Sequence, residues 1–189
     1  MLNARTSLLV GTISACALLA CDVADAADRE AVGAVAGLSE TDADRFVGQY
    51  AFAGGDDERT TLRNAIEDLV GMLNALVRGV ARDKLTETNP VFEKVSIERK
   101  GAELVLKFGT LTNACKLDGS VTEVPGIDGS TLTCRLSMQG DALVQQLSGS
   151  RGGRVNTFSI GKSGRLAMKT RIHSKMMPAD LRYTLTFKR

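Results

Sequence analysis

Residues 165–189 read RLAMKTRIHSKMMPADLRYTLTFKR, and two runs within them alternate. Leu166, Met168 and Ile172 share one parity of the first run; Leu181, Tyr183, Leu185 and Phe187 share one parity of the second. The opposite parity holds Lys169, Arg171, His173, Arg182 and Lys188. A period of two places successive side chains on opposite faces of a strand. One face is therefore dry and the other charged, as in an antiparallel sheet with a single core side. Residues 176–179, with Pro178, make the turn between the two strands.

The same grammar extends upstream. Leu132, Cys134, Leu136 and Met138 share a parity. Glycine-bearing turns at 100–101, 118–119, 125–126, 128–129, 140–141, 149–153 and 161–164 punctuate the chain. Strands are predicted over 91–99, 103–108, 111–117, 120–124, 131–138, 143–148, 154–160, 165–173 and 180–189. A further strand, over 45–53, carries Phe46, Gly48, Tyr50 and Phe52 on one parity. Between that strand and the other nine the period changes. Leu62, Ile66, Leu69, Leu73, Leu76, Val77 and Val80 recur at spacings of three and four, with Arg59, Arg63, Glu67, Arg78 and Arg82 mainly outside the stripe. The spacing predicts one amphipathic helix over 60–83, about 36 Å long, closed by Pro90. Gly71 leaves the phase intact, so a single rod is expected. The fold class is mainly β: an antiparallel up-and-down barrel or strongly curved sheet of about ten strands, with one long amphipathic helix inserted after the first.

The chain has 189 residues, 43% of them hydrophobic and 24% charged, which suits one globular domain. Lys and Arg number 24 against 22 Asp and Glu, so no general attraction to nucleic acid follows. His173 is the only histidine, which excludes a His-rich metal site and leaves a Ser-His-Asp triad one imidazole to use. On its outward parity His173 reads as a surface residue. No nucleophile elbow or carboxylate cluster accompanies it, so no catalytic residue and no cofactor are assigned. Gly161-Lys162-Ser163 fails the phosphate-loop pattern, because Asn156 stands where a glycine is required and a strand follows instead of a helix.

The first twenty residues read as an export signal: Arg5, then residues 6–20 without charge, too short for a membrane span of about 20 residues. Leu18-Leu19-Ala20-Cys21 resembles the lipobox of bacterial lipoproteins. That resemblance implies cleavage before Cys21, thioether lipidation of its thiol and acylation of its new amino group. Ile13-Ser14-Ala15-Cys16 also fits the pattern but would leave an apolar stub, and cleavage after Ala24-Asp25-Ala26 without lipid is the other alternative. Residues 21–44 then form an acidic tether, with seven acids against Arg29 and no aromatic residue. Its reach is about 25 Å. The folded domain is expected over 45–189, facing the periplasm of a bacterial envelope. Asp22 after Cys21 resembles an inner-membrane retention signal, and the choice of inner or outer membrane stays open.

One strand, a helical insert and nine antiparallel strands, opened by Asp44-Arg45-Phe46-Val47-Gly48-Gln49-Tyr50, resembles the fatty-acid-binding-protein branch of the calycins. Leu143-Val144-Gln145, followed by a glycine turn and three strands, is similar as well. The resemblance implies a barrel that encloses an apolar ligand under a helical lid. The family has two short helices, whereas the periodicity here predicts one. The family's last strand grips a carboxylate with an Arg and a Tyr, and Leu185 and Phe187 stand at those positions. Burying a carboxylate without its cation costs several kcal/mol, so a neutral or headgroup-out lipid fits better.

If the barrel is hollow, the expected lining is Tyr50, Phe52, Leu132, Leu136, Met168, Tyr183, Leu185 and Phe187, around several hundred Å³. The competing reading is a packed interior and a structural or protein-interaction lipoprotein. Cys115 and Cys134 lie on apolar parity in strands, and export predicts a disulfide between them. Residues 151–189 carry ten bases and one acid, Asp180, while residues 22–150 carry 13 bases and 21 acids. The basic face of Lys169, Arg171, Arg182 and Lys188 reads either as a solvated surface or as one drawn to anionic lipid headgroups. The expected partners are thus a membrane, through the lipid anchor, and a small hydrophobic ligand.

Overall fold

The computed structural model describes residues 37–189. The lipidation expected at Cys21 and the export signal expected before it lie outside the described residues. The tether expected over 21–44 does not extend to its end. Ser39 accepts a hydrogen bond from the Asp42 amide at 3.1 Å and caps a short helix, α1 (Glu40–Phe46), with Glu40 and Asp42 in its first turn. Ala43, Phe46 and the preceding Leu38 are buried, and the Leu38 amide donates to the Leu117 carbonyl at 2.7 Å. Arg99 donates to the Asp44 carboxylate at 2.7 Å.

Ten strands follow the predicted order: β1 (Gly48–Phe52), then β2 (Lys94–Lys100), β3 (Glu103–Phe108), β4 (Leu111–Lys116), β5 (Thr122–Pro125), β6 (Thr131–Gln139), β7 (Ala142–Gly149), β8 (Gly152–Ile160), β9 (Leu166–Ser174) and β10 (Leu181–Lys188). They form one antiparallel sheet in the order β4-β3-β2-β1-β10-β9-β8-β7-β6-β5. Pairing of β1 with β10 (Phe52 opposite Phe187) joins the first strand to the last and curls the meander into a nearly closed barrel.

The seam lies between β4 and β5, which share no ladder. The predicted disulfide crosses it, joining Cys115 of β4 to Cys134 of β6 with Cα atoms 5.9 Å apart. Asn113 of β4 donates to the Pro125 carbonyl of β5 at 3.1 Å. Side-chain chemistry thus joins edges that the backbone leaves apart.

The single predicted helix is two. The first, α2 (Gly55–Gly71), and the second, α3 (Arg78–Thr88), are separated by a turn through the 3-10 segment Ala75–Val77. The stripe's period runs unbroken through this turn, but the hydrogen bonding does not. Asn74 accepts from the Leu76 amide at 3.0 Å, and Arg78 donates to the carbonyls of Gly71 and Leu73 at 2.8 and 2.9 Å. These bonds satisfy the orphaned end of α2 and start a new helix. Arg82 folds α3 back with a two-pronged bond to Glu67, at 2.6 and 2.8 Å. Leu62, Ile66, Leu69 and Val70 of α2 enter the core. Glu58 in its first turn accepts from the Thr186 amide and hydroxyl at 2.7 and 2.6 Å, capping the edge of β10 where β1 has ended.

α1 closes the floor of the barrel. Arg45 reaches Asp141 in the β6–β7 turn at 3.2 Å, and Arg189 donates to the carbonyls of Arg45 and Val47 and to the Tyr50 hydroxyl, each at 3.1 Å. α2 and α3 lie at the opposite end, the mouth.

Candidate functional site at the barrel mouth

The eight residues expected to line a chamber are not gathered around one. Tyr50, Leu136, Met168, Tyr183, Leu185 and Phe187 are buried in the packed core. Phe52 is half-buried, edge-on to Phe187 with ring centres 5.9 Å apart and under Arg59 at 4.7 Å. Leu132 alone of the eight borders the large cleft at the mouth, and Met168 borders a small inner void of about 20 Å³. That void holds about one water, so the middle of the barrel is filled.

Part of the filling is polar. Gln145 donates to Asn113 at 3.2 Å, Asn156 to Gln145 at 2.9 Å and Thr170 to Asn156 at 3.0 Å. This chain runs across β4, β7, β8 and β9 inside the barrel, and each member is buried. Its ends tie the seam to the far wall. The sequence carried a signal for it that the apolar reading passed over: Asn113, Gln145 and Asn156 sit on the parity of Cys115, Leu147 and Phe158. A polar residue on the dry parity of a strand needs an interior partner.

At the mouth the material changes. A cleft of about 310 Å³ opens between α3 and the turns after β5, β7 and β9. Leu85, Leu111, Ile127, Leu132, Leu147, Ile172 and Met177 give it apolar walls. Asn89, just after α3, positions the lid. Its amide donates to the Leu85 carbonyl at 2.8 Å, and its side-chain oxygen accepts from Arg154 at 2.7 Å and from the Tyr183 hydroxyl at 3.2 Å. Arg154 of β8 also donates to the Thr88 carbonyl at 2.8 Å, placing a cation at the C-terminal end of the α3 dipole. Burial raises the Tyr183 phenol above its ordinary range, opposed by the nearby Arg154 charge and by Thr170. The phenol therefore stays neutral at physiological pH and acts as a donor.

His173, expected on the surface, is half-buried on the outward parity of β9 opposite Gly153, and it borders the cleft. A side chain at Gly153 would collide with its ring, so the glycine makes room for the imidazole. The four residues of the basic face, Lys169, Arg171, Arg182 and Lys188, are exposed on β9 and β10, with Arg171 directly opposite Arg182. Asp180 pairs with both arginines, at 3.1 and 2.7 Å. A second cleft of about 250 Å³ separates α2 from the segment after α3, between Leu62, Ile66, Pro90 and Val91.

No protein-family model and no curated protein matches the chain. Solved structures do. Lipid binding protein 8 of Caenorhabditis elegans is similar with a TM-score of 0.51 at 12% identity, over 80% of this chain and 98% of that one. Zebrafish ileal bile acid-binding protein complexed with cholic acid is similar at 0.47 and 16%, over 77% and 98%. Fatty-acid-binding protein 1 of Echinococcus granulosus is similar at 0.47 and 7%, over 77% and 98%. The chain therefore has the fatty-acid-binding-protein-like fold, a ten-stranded antiparallel barrel with a helix-turn-helix after its first strand.

Proposed function

We propose that this protein is a lipid-anchored envelope protein that binds a small hydrophobic ligand, without catalysis, in the cleft at its barrel mouth. The observation that carries the reading is the cleft itself: about 310 Å³ with apolar walls, under a helix that is latched to the barrel at its last turn. That volume is at the small end of the range for ligand sites. The anchor is inferred from Leu18-Leu19-Ala20-Cys21, and its place in a bacterial envelope from the same residues. Leu76 and Val80, 91% and 76% exposed, leave apolar surface on the helical insert, suited to contact with a bilayer. The fold's occurrence in a lipid binding protein is consistent with this use.

The filled barrel interior favours a second reading, a structural or protein-interaction lipoprotein without ligand. Mass spectrometry of the full chain, purified from bacterial membranes in mild detergent, separates the two. Under denaturing conditions the first reading expects a covalent diacylglyceryl and acyl increment that disappears in Cys21→Ser. Under native conditions it expects a non-covalent small molecule at one per chain. A chain that carries the increment but never a ligand leaves the structural reading in place. A chain without the increment removes the anchor.

A further inference from the structure

The outer wall of β9 and β10 carries charge of one sign. Lys169 and Arg171 point outward from β9 and Arg182 and Lys188 from β10, and all four are exposed. The turns flanking β9 prolong the stripe, with Lys162 and Arg165 exposed before the strand and Lys175 after it. Between residues 161 and 188 the single acid is Asp180, shared by Arg171 and Arg182. The other five bases have no carboxylate within 4.0 Å among the described residues. Bases on β2 and β3 are placed differently: Arg99 meets Asp44 and Lys107 meets Glu98, each at 2.7 Å.

The shape of the stripe selects its partner. It follows one strand for roughly 30 Å, at about 3.3 Å per residue. A convex wall touches a plane along a line, so bases set along that line fit a flat sheet of negative charge. An anionic leaflet is such a sheet, and it draws each base near its surface. The outward positions of the neighbouring β8, Val155, Thr157 and Ser159, add no charge that would oppose the approach. At one end of the stripe Met176, 75% exposed, follows Lys175, and Met177 of the same turn borders the mouth cleft. The anchor inferred at Cys21 would hold the wall within reach of a leaflet. Residues 22–36 can extend to about 50 Å. From the seam to β9 is half the ring of strands, about 24 Å at 4.8 Å per strand.

We propose that the anchored barrel lies on its side, with the outer wall of β9 and β10 against an anionic leaflet and the turn at 175–180 among the headgroups. The seam between β4 and β5 then faces away from the bilayer, and the cleft opens at its surface beside Met177. The proposal rests on the reading of Cys21 as the anchor and does not depend on the cleft holding a ligand.

The full chain, purified from bacterial membranes and reconstituted into vesicles, tests this by short-range fluorescence quenching from a nitroxide-headgroup lipid. A fluorophore is attached to Thr184→Cys, exposed on β10 opposite Lys169, or to Thr112→Cys, exposed on β4 at the seam. In vesicles of phosphatidylcholine with anionic phosphatidylglycerol, the label at 184 is expected to be quenched well above the label at 112. The contrast should vanish in pure phosphatidylcholine, and at about 1 M salt, where charges are screened within about 3 Å. Lys169→Gln with Lys188→Gln removes two exposed bases outside any ion pair, so folding is spared. It should lower the ratio of docked to undocked barrel by about ten-fold or more. Equal quenching at the two sites, or quenching at 184 that ignores phosphatidylglycerol, overturns the proposal. So does a contrast that survives the lysine changes and is lost in Leu76→Ser, Val80→Ser, which would place the contact on the helical insert. The mass of the same preparation separates the two readings. A chain without the acyl increment removes the anchor and this orientation with it, whereas an acylated chain without the contrast rejects the wall alone.

Discussion

At the floor and middle of the barrel, Phe46, Ile97, Leu106, Leu136, Leu143, Phe158 and Phe187 have no exposed surface, and the polar residues among them bond to one another. At the mouth, α3 fully buries none of its residues, Leu76 and Val80 point into solvent, and Arg154 has no counter-ion among the described residues. Both ends belong to one continuous sheet. The difference shows where folding free energy is stored and where it is withheld. A region whose apolar side chains are buried and whose inner amides are paired carries stability, whereas a region that keeps apolar surface and charge unmatched keeps them for something else.

The strongest way to break this contrast is to open the interior. Phe158 is fully buried and stacked near Phe108, ring centres 6.4 Å apart, and it lies opposite Met168. Phe158→Ala is expected to cost about 3–5 kcal/mol of unfolding free energy. Urea denaturation monitored by far-UV circular dichroism measures it. A cost below about 1.5 kcal/mol would mean that the middle collapses freely and is not a packed core.

The seam sharpens the comparison next. It runs from floor to mouth and lacks a backbone ladder, so the Cys115–Cys134 bond and the Asn113 contacts hold it. Replacing both cysteines with serine is expected to remove about 3 kcal/mol, mainly by freeing a closed loop in the unfolded chain. Hydrogen exchange should then quicken in β4 and β5 well before β9 and β10. Uniform quickening across all ten strands would show that the seam is not where the barrel opens.

Most of this contrast was visible in the residues. Alternation in 165–189 defined the dry face, and the turns delimited nearly every strand to within a residue or two, because a half-buried sheet imposes its period on each residue. The disulfide followed from two cysteines on dry parity. The mouth was less legible. The stripe from Leu62 to Val80 keeps a helical period across Gly71 and Asn74, so it could not reveal a break made by side-chain caps at Asn74 and Arg78. Phe46 shares the parity of Tyr50 and therefore read as strand, although Ser39 starts a helix seven residues before it. Arg154 looked like one more base in a basic stretch. Its inward parity, shared with Asn156 and Phe158, was the clue to its place on the cleft floor. Partner choice among buried polar groups is a tertiary property, and a single sequence does not encode it by spacing.

The smallest expected effect is the most direct test of the mouth. In the double variant Leu76→Ser, Val80→Ser, two side chains that are 91% and 76% exposed are replaced by polar ones on a segment with no fully buried residue. If apolar surface there serves folding, its loss must register as a destabilisation of the kind Phe158→Ala gives. If it is surplus to folding, the unfolding free energy from urea denaturation should change by no more than about 0.5 kcal/mol, the usual range for surface substitutions. Serine has a slightly poorer helix propensity than leucine, which already accounts for a few tenths of a kcal/mol within that range. A larger loss would mean that the lip packs against the barrel in solution, and the division between a stabilising floor and a withheld mouth would no longer hold. No loss, in a chain whose Phe158→Ala variant is crippled, places the apolar lip outside the folding problem.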